Sequence, residues 1–413
     1  MPPHTFETNL YSGRPKILFI GSGKSTHTHA WIDLLQHETF NVRLFSTEGA
    51  PPDSWWAKTY ITEYPGPTTD SETRVGLFNK RRALRATERF IARVRRRSWD
   101  HEQILLNWLA EIINQWQPHI VHTLGLEPAG YLYARVLKQT HSTNGRQWVA
   151  QVRGGPDLAL NRLLPEYQPL IKSVFAECDR VLADNQQNYD FARGMGLLEK
   201  QVSEIGSVPG TGGVDIDLLA EFSQGNPSTR QAIVWPKAYE CPQSSAFPVL
   251  EAFKLLSHRL PPCDVYMFGS EKIQYAVRLW FQTLPADFRA RANLVDRVPR
   301  EEVLRLFGRA RVMLAPALAD GVPNSLYEAM ATGAFPIVSP LETITNRVTA
   351  EKNVLFARNL YPEEIAAQLL RAMTDDSLVD NAANENRLLV KRTADRDQIR
   401  SRVIEFYENI SHG

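Results

Sequence analysis

Short apolar runs and amphipathic stretches alternate along most of the chain. KILFI (16–20) and NVRLFS (41–46) bracket a helix-period pattern around Ala30–Leu35, and HIVHTLG (119–125), WVAQVRGG (148–155) and RVLADN (180–185) keep the same rhythm. Apolar runs this short suit strands buried on both faces, with helical crossovers returning the chain in parallel. The rhythm breaks in a Pro/Gly/Ser-rich passage, VPGTGGVDIDLLAEFSQGNPST (208–229), then restarts with AIVW (232–235), DVYMFG (264–269), ANLVDR (292–297), VMLAPA (312–317) and FPIVSP (335–340). The pattern predicts an α/β protein of two Rossmann-like, doubly wound parallel-sheet domains, 1–210 and 229–395, joined by a linker at 211–228. A long amphipathic pattern, DQIRSRVIEFYENI (397–410), predicts a last helix within 396–413 that packs back across the domains. Open parallel sheets bind ligands at the carboxyl ends of their strands, so the expected site is a cleft between the two domains.

Composition narrows the class. With 413 residues the chain is long enough for two or three cores, and 43% hydrophobic with 23% charged residues is a soluble balance. A net charge of +1 gives no overall pull toward nucleic acid, and no nucleic-acid partner is expected. The three cysteines, Cys178, Cys241 and Cys263, have no metal-knuckle or redox spacing, and their sparse, odd number fits a reducing cytoplasm. Met1–Lys16 lacks a secretory apolar core, and no stretch approaches the ~20 residues of a bilayer span. The charge is uneven, however. FNKRRALRATERFIARVRRRSWD (78–100) interleaves Lys and Arg with apolar positions at partly helical spacing. It reads either as a solvated helix face or, over 78–97, as a surface that docks on an anionic membrane. The expected location is therefore cytoplasmic, peripheral at the inner face of the membrane in the second case.

One motif misleads on a quick reading. GSGKST (21–26) follows the first strand and imitates the end of an ATPase phosphate loop. That loop needs its first glycine five residues before the Gly of Gly-Lys-Ser, at a position held here by Leu18 inside the strand. What survives is a tight Gly21-Ser22-Gly23 turn, whose glycines serve either the backbone angles of a βα turn or a ligand approaching the helix start.

The most informative stretch is LAPALADGVPNSLYEAMATGAFPIVSP (314–340). A strand ends near Pro316, a turn holds Asp320-Gly321-Val322-Pro323, and a helix starts near Asn324-Ser325, both good N-cap residues. Glu328 falls one turn inside that helix. A diphosphate at the helix N-terminus would set its ribose hydroxyls against Glu328. Asp320 and Glu328, followed by Ala329-Met330-Ala331-Thr332-Gly333 and Pro336, resemble the Glu-x7-Glu signature of the retaining glycosyltransferases of family 4, which have the GT-B fold. KILFIGSGKSTHTHAW, PHIVHTLG (118–125), VRGGPD (152–157), GGVDIDLL (212–219) and FGS (268–270) are similar to segments that occur in that family in the same order.

The resemblance implies a metal-independent transferase with no cofactor, taking a nucleotide-sugar donor and a glycan or lipid-linked acceptor in cell-surface polysaccharide or glycolipid synthesis. Glu328 would bind the ribose, while Asp320 and the amides of Gly321-Val322-Pro323 would meet the transferred sugar, with Asn324 and Ser325 at the helix start. His122 would be the cleft histidine near the reacting carbon. Gly21-Ser22-Gly23 would border the diphosphate, and Lys237 would face the phosphates. His27, His29 and Arg153 are further candidates for acceptor or phosphate contacts, although Arg153 could instead pair with Asp157. Two departures stand out. Asp320 is one methylene shorter than the family's Glu, and no second cation follows Lys237 before Lys254, leaving Arg153 or Arg297 to supply it. Two other readings share the nucleotide site: a nucleotide-sugar epimerase of the same fold, and a non-catalytic nucleotide- or glycan-binding relative.

Overall fold

The computed structural model describes residues 6, 8–62, 72–76, 101–140, 145–269, 274–296 and 298–411. The basic segment 78–97, Ser270 and Arg297 lie outside the described residues.

Two all-parallel sheets form the frame. The first holds β1 (Lys16–Gly21), β2 (Asn41–Ser46), β3 (Lys58–Ile61), β4 (Arg74–Gly76), β5 (Ile120–Leu124), β6 (Gln147–Val152) and β7 (Arg180–Ala183), in the order β4-β3-β2-β1-β5-β6-β7. The second holds β8 (Ala232–Trp235), β9 (Asp264–Phe268), β10 (Ala292–Val295), β11 (Ala310–Ala315), β12 (Phe335–Val338) and β13 (Leu355–Phe356), in the order β10-β9-β8-β11-β12-β13. In both, the order reverses beside the first strand, which opens a crevice at β1/β5 and at β8/β11.

Alternation in the strands feeds two cores per sheet. In β1, Ile17 and Phe19 join one apolar cluster while Leu18 and Ile20 join the cluster on the other face, all four without exposed surface. Burial on both faces is why these strands read as unbroken apolar runs.

Six helices position the site: α1 (Thr26–Ile32), α2 (Gln186–Gly194), α3 (Phe247–Leu256), α4 (Arg300–Arg309), α5 (Asn324–Thr332) and α6 (Arg396–Ser411). The last lies on the first domain, although it follows the second in sequence. Ile399, Val403, Phe406, Tyr407 and Ile410 repeat at helical spacing and enter the cluster of Ile17, Phe19 and Trp31. Arg396 Nη2 donates to the Ala30 carbonyl at 2.7 Å, and Arg400 Nη2 donates to the Gln36 carbonyl at 2.8 Å.

Candidate functional site

The second domain builds the site from its switch point. Because β8 and β11 are neighbours, Lys237 and Asp320, each just beyond a strand end, meet although 83 residues apart. Lys237 Nζ forms an ion pair with Asp320 Oδ2. Burial works against the ammonium, but the carboxylate outweighs it and holds the Lys237 pKa above its usual value. Asp320 Oδ1 also accepts from the Gly321 N–H at 3.0 Å, and the Asp320 carbonyl accepts from Thr343 Oγ1 at 2.7 Å. The turn is thus fixed from both ends.

The start of α5 differs from the expected capping. Pro323 occupies the N-cap, extended at φ −69° and ψ 141°, and Asn324 and Ser325 are already helical. Asn324 Oδ1 is taken by Thr211 Oγ1 of the linker at 2.9 Å, and Ser325 Oγ is buried with no hydrogen-bond partner among the described residues. Pro323 has no N–H, so of the three amides expected to meet a sugar only those of Gly321 and Val322 exist as donors. Glu328 lies one turn inside, 6% exposed. Burial raises its pKa above the usual carboxylate range, against the pull of Arg300, whose Nη2 is 2.6 Å from Glu328 Oε1.

The first domain supplies the opposite wall. Gly21 ends β1. The requirement for glycine at 23 is one of space, since a Cβ there would stand 2.5 Å from Ser46 Oγ and 2.8 Å from the Gly49 carbonyl oxygen. Ser22 Oγ donates to the Glu48 carbonyl at 3.3 Å, and Lys24 pairs with Glu48, away from the phosphate role its motif suggests. His29 locks the same turn: its Nε2 donates to the Gly23 carbonyl at 2.7 Å and its ring lies 4.8 Å from that of Trp55. His27 projects from the first turn of α1 into the crevice. Surrounding protein mass and the positive charges of Arg153, Arg300 and Lys237 push its pKa down to about 4, so the imidazole is neutral at physiological pH.

Arg153 follows β6. It does not pair with Asp157 through its side chain. Its backbone N–H donates to Asp157 Oδ2 at 2.9 Å, while its Nε donates to Gln151 Oε1 at 3.0 Å. Its Nη2 is buried without a hydrogen-bond partner among the described residues, and burial lowers its pKa to about 10. Burial lifts Asp157 to about 6, although the N–H groups of Arg153, Glu127 and Leu126 favour its charged form.

His122 is placed one layer deeper than a cleft residue. It has no exposed surface and lies among Phe19, Trp31 and Tyr407. The reason is alternation: Leu124, two residues on and on the same face of β5, occupies the strand end beside Gly21. Trp31 Nε1 donates to Tyr407 Oη at 3.0 Å, so the tyrosine hydrogen is free for His122 Nδ1 at 2.5 Å. That assigns the proton of neutral His122 to Nε2, which has no hydrogen-bond partner among the described residues. Burial, then Arg153, keeps its pKa well below 6.5.

The two walls touch through Asp184, at the end of β7. Its Oδ1 accepts from Asn185 Nδ2 and Asn188 Nδ2, both at 2.7 Å, which aims Oδ2 across the domain boundary at the Val322 N–H, 3.4 Å away. Burial raises Asp184 to about 6, and nearby Asp320 adds to the rise. A Cβ on Gly154 would stand 2.5 Å from Gly321 N, so the domains meet backbone to backbone. Asp184, Arg300 and Tyr407 were missed by the sequence reading. Only Asp184 carried a signal, an acid ending an apolar strand at the same level as VRGG.

The site therefore joins carboxylates and cations from both domains around one crevice, and the fold defines the class: two facing Rossmann-like domains of the GT-B glycosyltransferase type. Residues 244–399, most of the second domain, match the model of the family described as glycosyl transferases group 1. No curated protein matches the chain in sequence. Solved structures similar in fold include sucrose-phosphate synthase from Thermosynechococcus elongatus, at TM-score 0.68 and 13% identity over 96% of this chain and 99% of that one. Anabaena Alr3699/HepE in complex with UDP-glucose aligns at TM-score 0.66 and 13% identity over 95% and 99%. The α,α-trehalose 6-phosphate synthase of Burkholderia multivorans aligns at 0.67 and 12% over 97% and 99%. Among the described residues no helix is long and apolar enough to cross a membrane.

Proposed function

We propose that the chain is a retaining glycosyltransferase akin to family 4, moving a sugar from a nucleotide-sugar donor to a glycan or lipid-linked acceptor in cell-surface polysaccharide or glycolipid synthesis. One observation carries the reading: Lys237 and Asp320 meet at the switch point of the second sheet, with Glu328 one turn inside α5 and Arg153 and His27 facing them. Glu328 takes the ribose hydroxyls. Lys237 and Arg153 face the diphosphate beside Gly21-Ser22-Gly23. Asp320 and the start of α5 at Asn324 and Ser325 meet the transferred sugar, which would take over the Gly321 and Val322 N–H groups from Asp320 and Asp184. The binding of UDP-glucose by the Anabaena protein, which shares the fold, supports a nucleotide sugar as donor.

Transfer requires that the charge growing on the leaving diphosphate be met as the glycosidic bond to it breaks. Preoriented donors in a water-poor crevice are worth about 10²–10³ in rate each. Lys237 and Arg153 fill that role in this reading, so no metal is called upon. Asp320 is committed to Lys237 and is no free nucleophile, which favours attack on the face the diphosphate leaves, through an oxocarbenium-like state. His122 belongs to the buried layer beneath Arg153 and serves as a positioning residue. The basic segment 78–97 would hold the enzyme at an anionic inner membrane face, near a lipid-linked acceptor.

A panel of nucleotide sugars, each with and without candidate acceptors, tests the proposal. Diphosphate release that depends on acceptor, with the anomeric configuration of the donor kept, is expected, and Glu328→Ala should abolish it. Epimer formation from a nucleotide sugar alone would overturn it in favour of an epimerase. Absence of nucleoside-diphosphate binding in calorimetry would favour the non-catalytic reading. For the membrane, co-sedimentation with anionic but not neutral vesicles is expected.

A further inference from the structure

The sequence leaves the second domain one cation short, and the structure points to where it comes from. The loop after β8 places only Lys237 in the crevice. The carboxylate of Glu240 further along that loop accepts from the N–H groups of Ala246 at 2.5 Å and Phe247 at 2.9 Å, which closes the start of α3 to any anion. Arg300 stands elsewhere, at the first residue of α4, with a side chain 63% exposed although one nitrogen is tied to Glu328. A cation there opposes the helix dipole, so it does not serve the helix it sits on. Its charge is felt at His27 on the opposite wall, together with those of Arg153 and Lys237, and also at Arg396.

We infer that Arg300 is a further phosphate-binding cation of the site, the second that the second domain supplies beside Lys237, held by Glu328 so that one side chain links the ribose contact to the diphosphate contact. This rests on the nucleoside-diphosphate reading above. A guanidinium has five N–H donors. With Nη2 on Glu328 Oε1, the remaining donors can face phosphate oxygens in the crevice. The tie to Glu328 keeps a long side chain preorganised, and it neutralises a carboxylate that would otherwise repel the diphosphate.

The test uses the full-length chain and whichever of UDP, GDP or ADP binds it most tightly, with the matching monophosphate and nucleoside. Arg300→Ala should weaken the diphosphate about 10- to 100-fold, the monophosphate less, and the nucleoside by less than about twofold. Arg300→Lys should recover part of the loss. Diphosphate affinity should also become less sensitive to added salt, because one cation–phosphate attraction that salt screens is gone. Because Arg300→Ala leaves Glu328 buried and alone, the same comparison is made in a Glu328→Gln background, where the diphosphate-specific loss should persist. Equal losses for diphosphate and nucleoside, or none for either, would overturn the inference and leave the nucleotide reading standing. Failure of the unaltered chain to bind any of the three diphosphates would overturn both.

Discussion

Gly321→Ala probes the contact between the two walls. The added Cβ would collide with Asp184 Oδ2 and stand 2.6 Å from Gly154 Cα. Neither neighbour can yield cheaply. Asp184 is clamped by two carboxamides at 2.7 Å, and Gly154 offers only backbone. Reaching ordinary contact therefore needs the domains to part by roughly 1 Å at this point. Lys237, Glu328 and Arg300 all sit on the second domain and stay together, and only the Arg153 contact from the first domain is stretched, so nucleoside-diphosphate affinity should fall far less than the transfer rate. Catalysis needs groups from both walls, and a misplacement of about 1 Å costs on the order of 10²-fold in rate. Steady-state transfer kinetics set beside calorimetry give both numbers. The double variant Asp184→Ala/Gly321→Ala should stay slow, because the Gly154 backbone remains in the way. A kcat within about twofold of the parent, or a diphosphate affinity that falls as far as kcat, would refute the argument that this contact sets closure.

Lys237→Ala should lower kcat about 10²-fold or more, and Lys237→Arg should recover part of it, in the same transfer assay; an unchanged rate would remove Lys237 from the leaving-group site. Tyr407→Phe strands the Trp31 N–H and His122 Nδ1, each at about 1–3 kcal/mol, so denaturant unfolding should show a loss of about 2–6 kcal/mol, and no loss would refute this hydrogen-bonded layer. Asp184 has a folded pKa of about 6 against 3.8 unfolded, so between these values the folded state holds the extra proton and this group's contribution to stability falls as pH rises. Asp184→Asn removes that slope, and its stability relative to the parent should improve by about 3 kcal/mol from pH 3 to pH 7; a pH-independent difference would show that Asp184 is not perturbed. His27→Asn acts oppositely. The parent's neutral imidazole costs stability as pH falls from 6.5 toward 4, so the variant should gain on the parent in that window, measured by the same unfolding experiment.

Ten strands were legible as short apolar runs, continuous where burial covers both faces, as in KILFI and AIVW. β3, β4 and β13 were not, because KTYI, RVG and LF are two to four residues long and lie at or near sheet edges, where polar positions are tolerated. The site divides along a similar line. Asp320 and Glu328 share one turn and helix, so their spacing survives in the sequence, and Lys237 is legible as the cation beyond a strand end. Asp184 and Tyr407 owe their roles to the docking of one domain, or of α6, on another, and Arg300 owes its role to the meeting of α4 with α5 within the second domain, which no local pattern encodes. His122 shows the converse failure. Its place near a strand end was read correctly, but two residues of strand separate a ring under Tyr407 from the crevice surface, and alternation along β5 decides which residue reaches it. Position along the chain finds a strand end; only register and the covering helix decide which side chain emerges there.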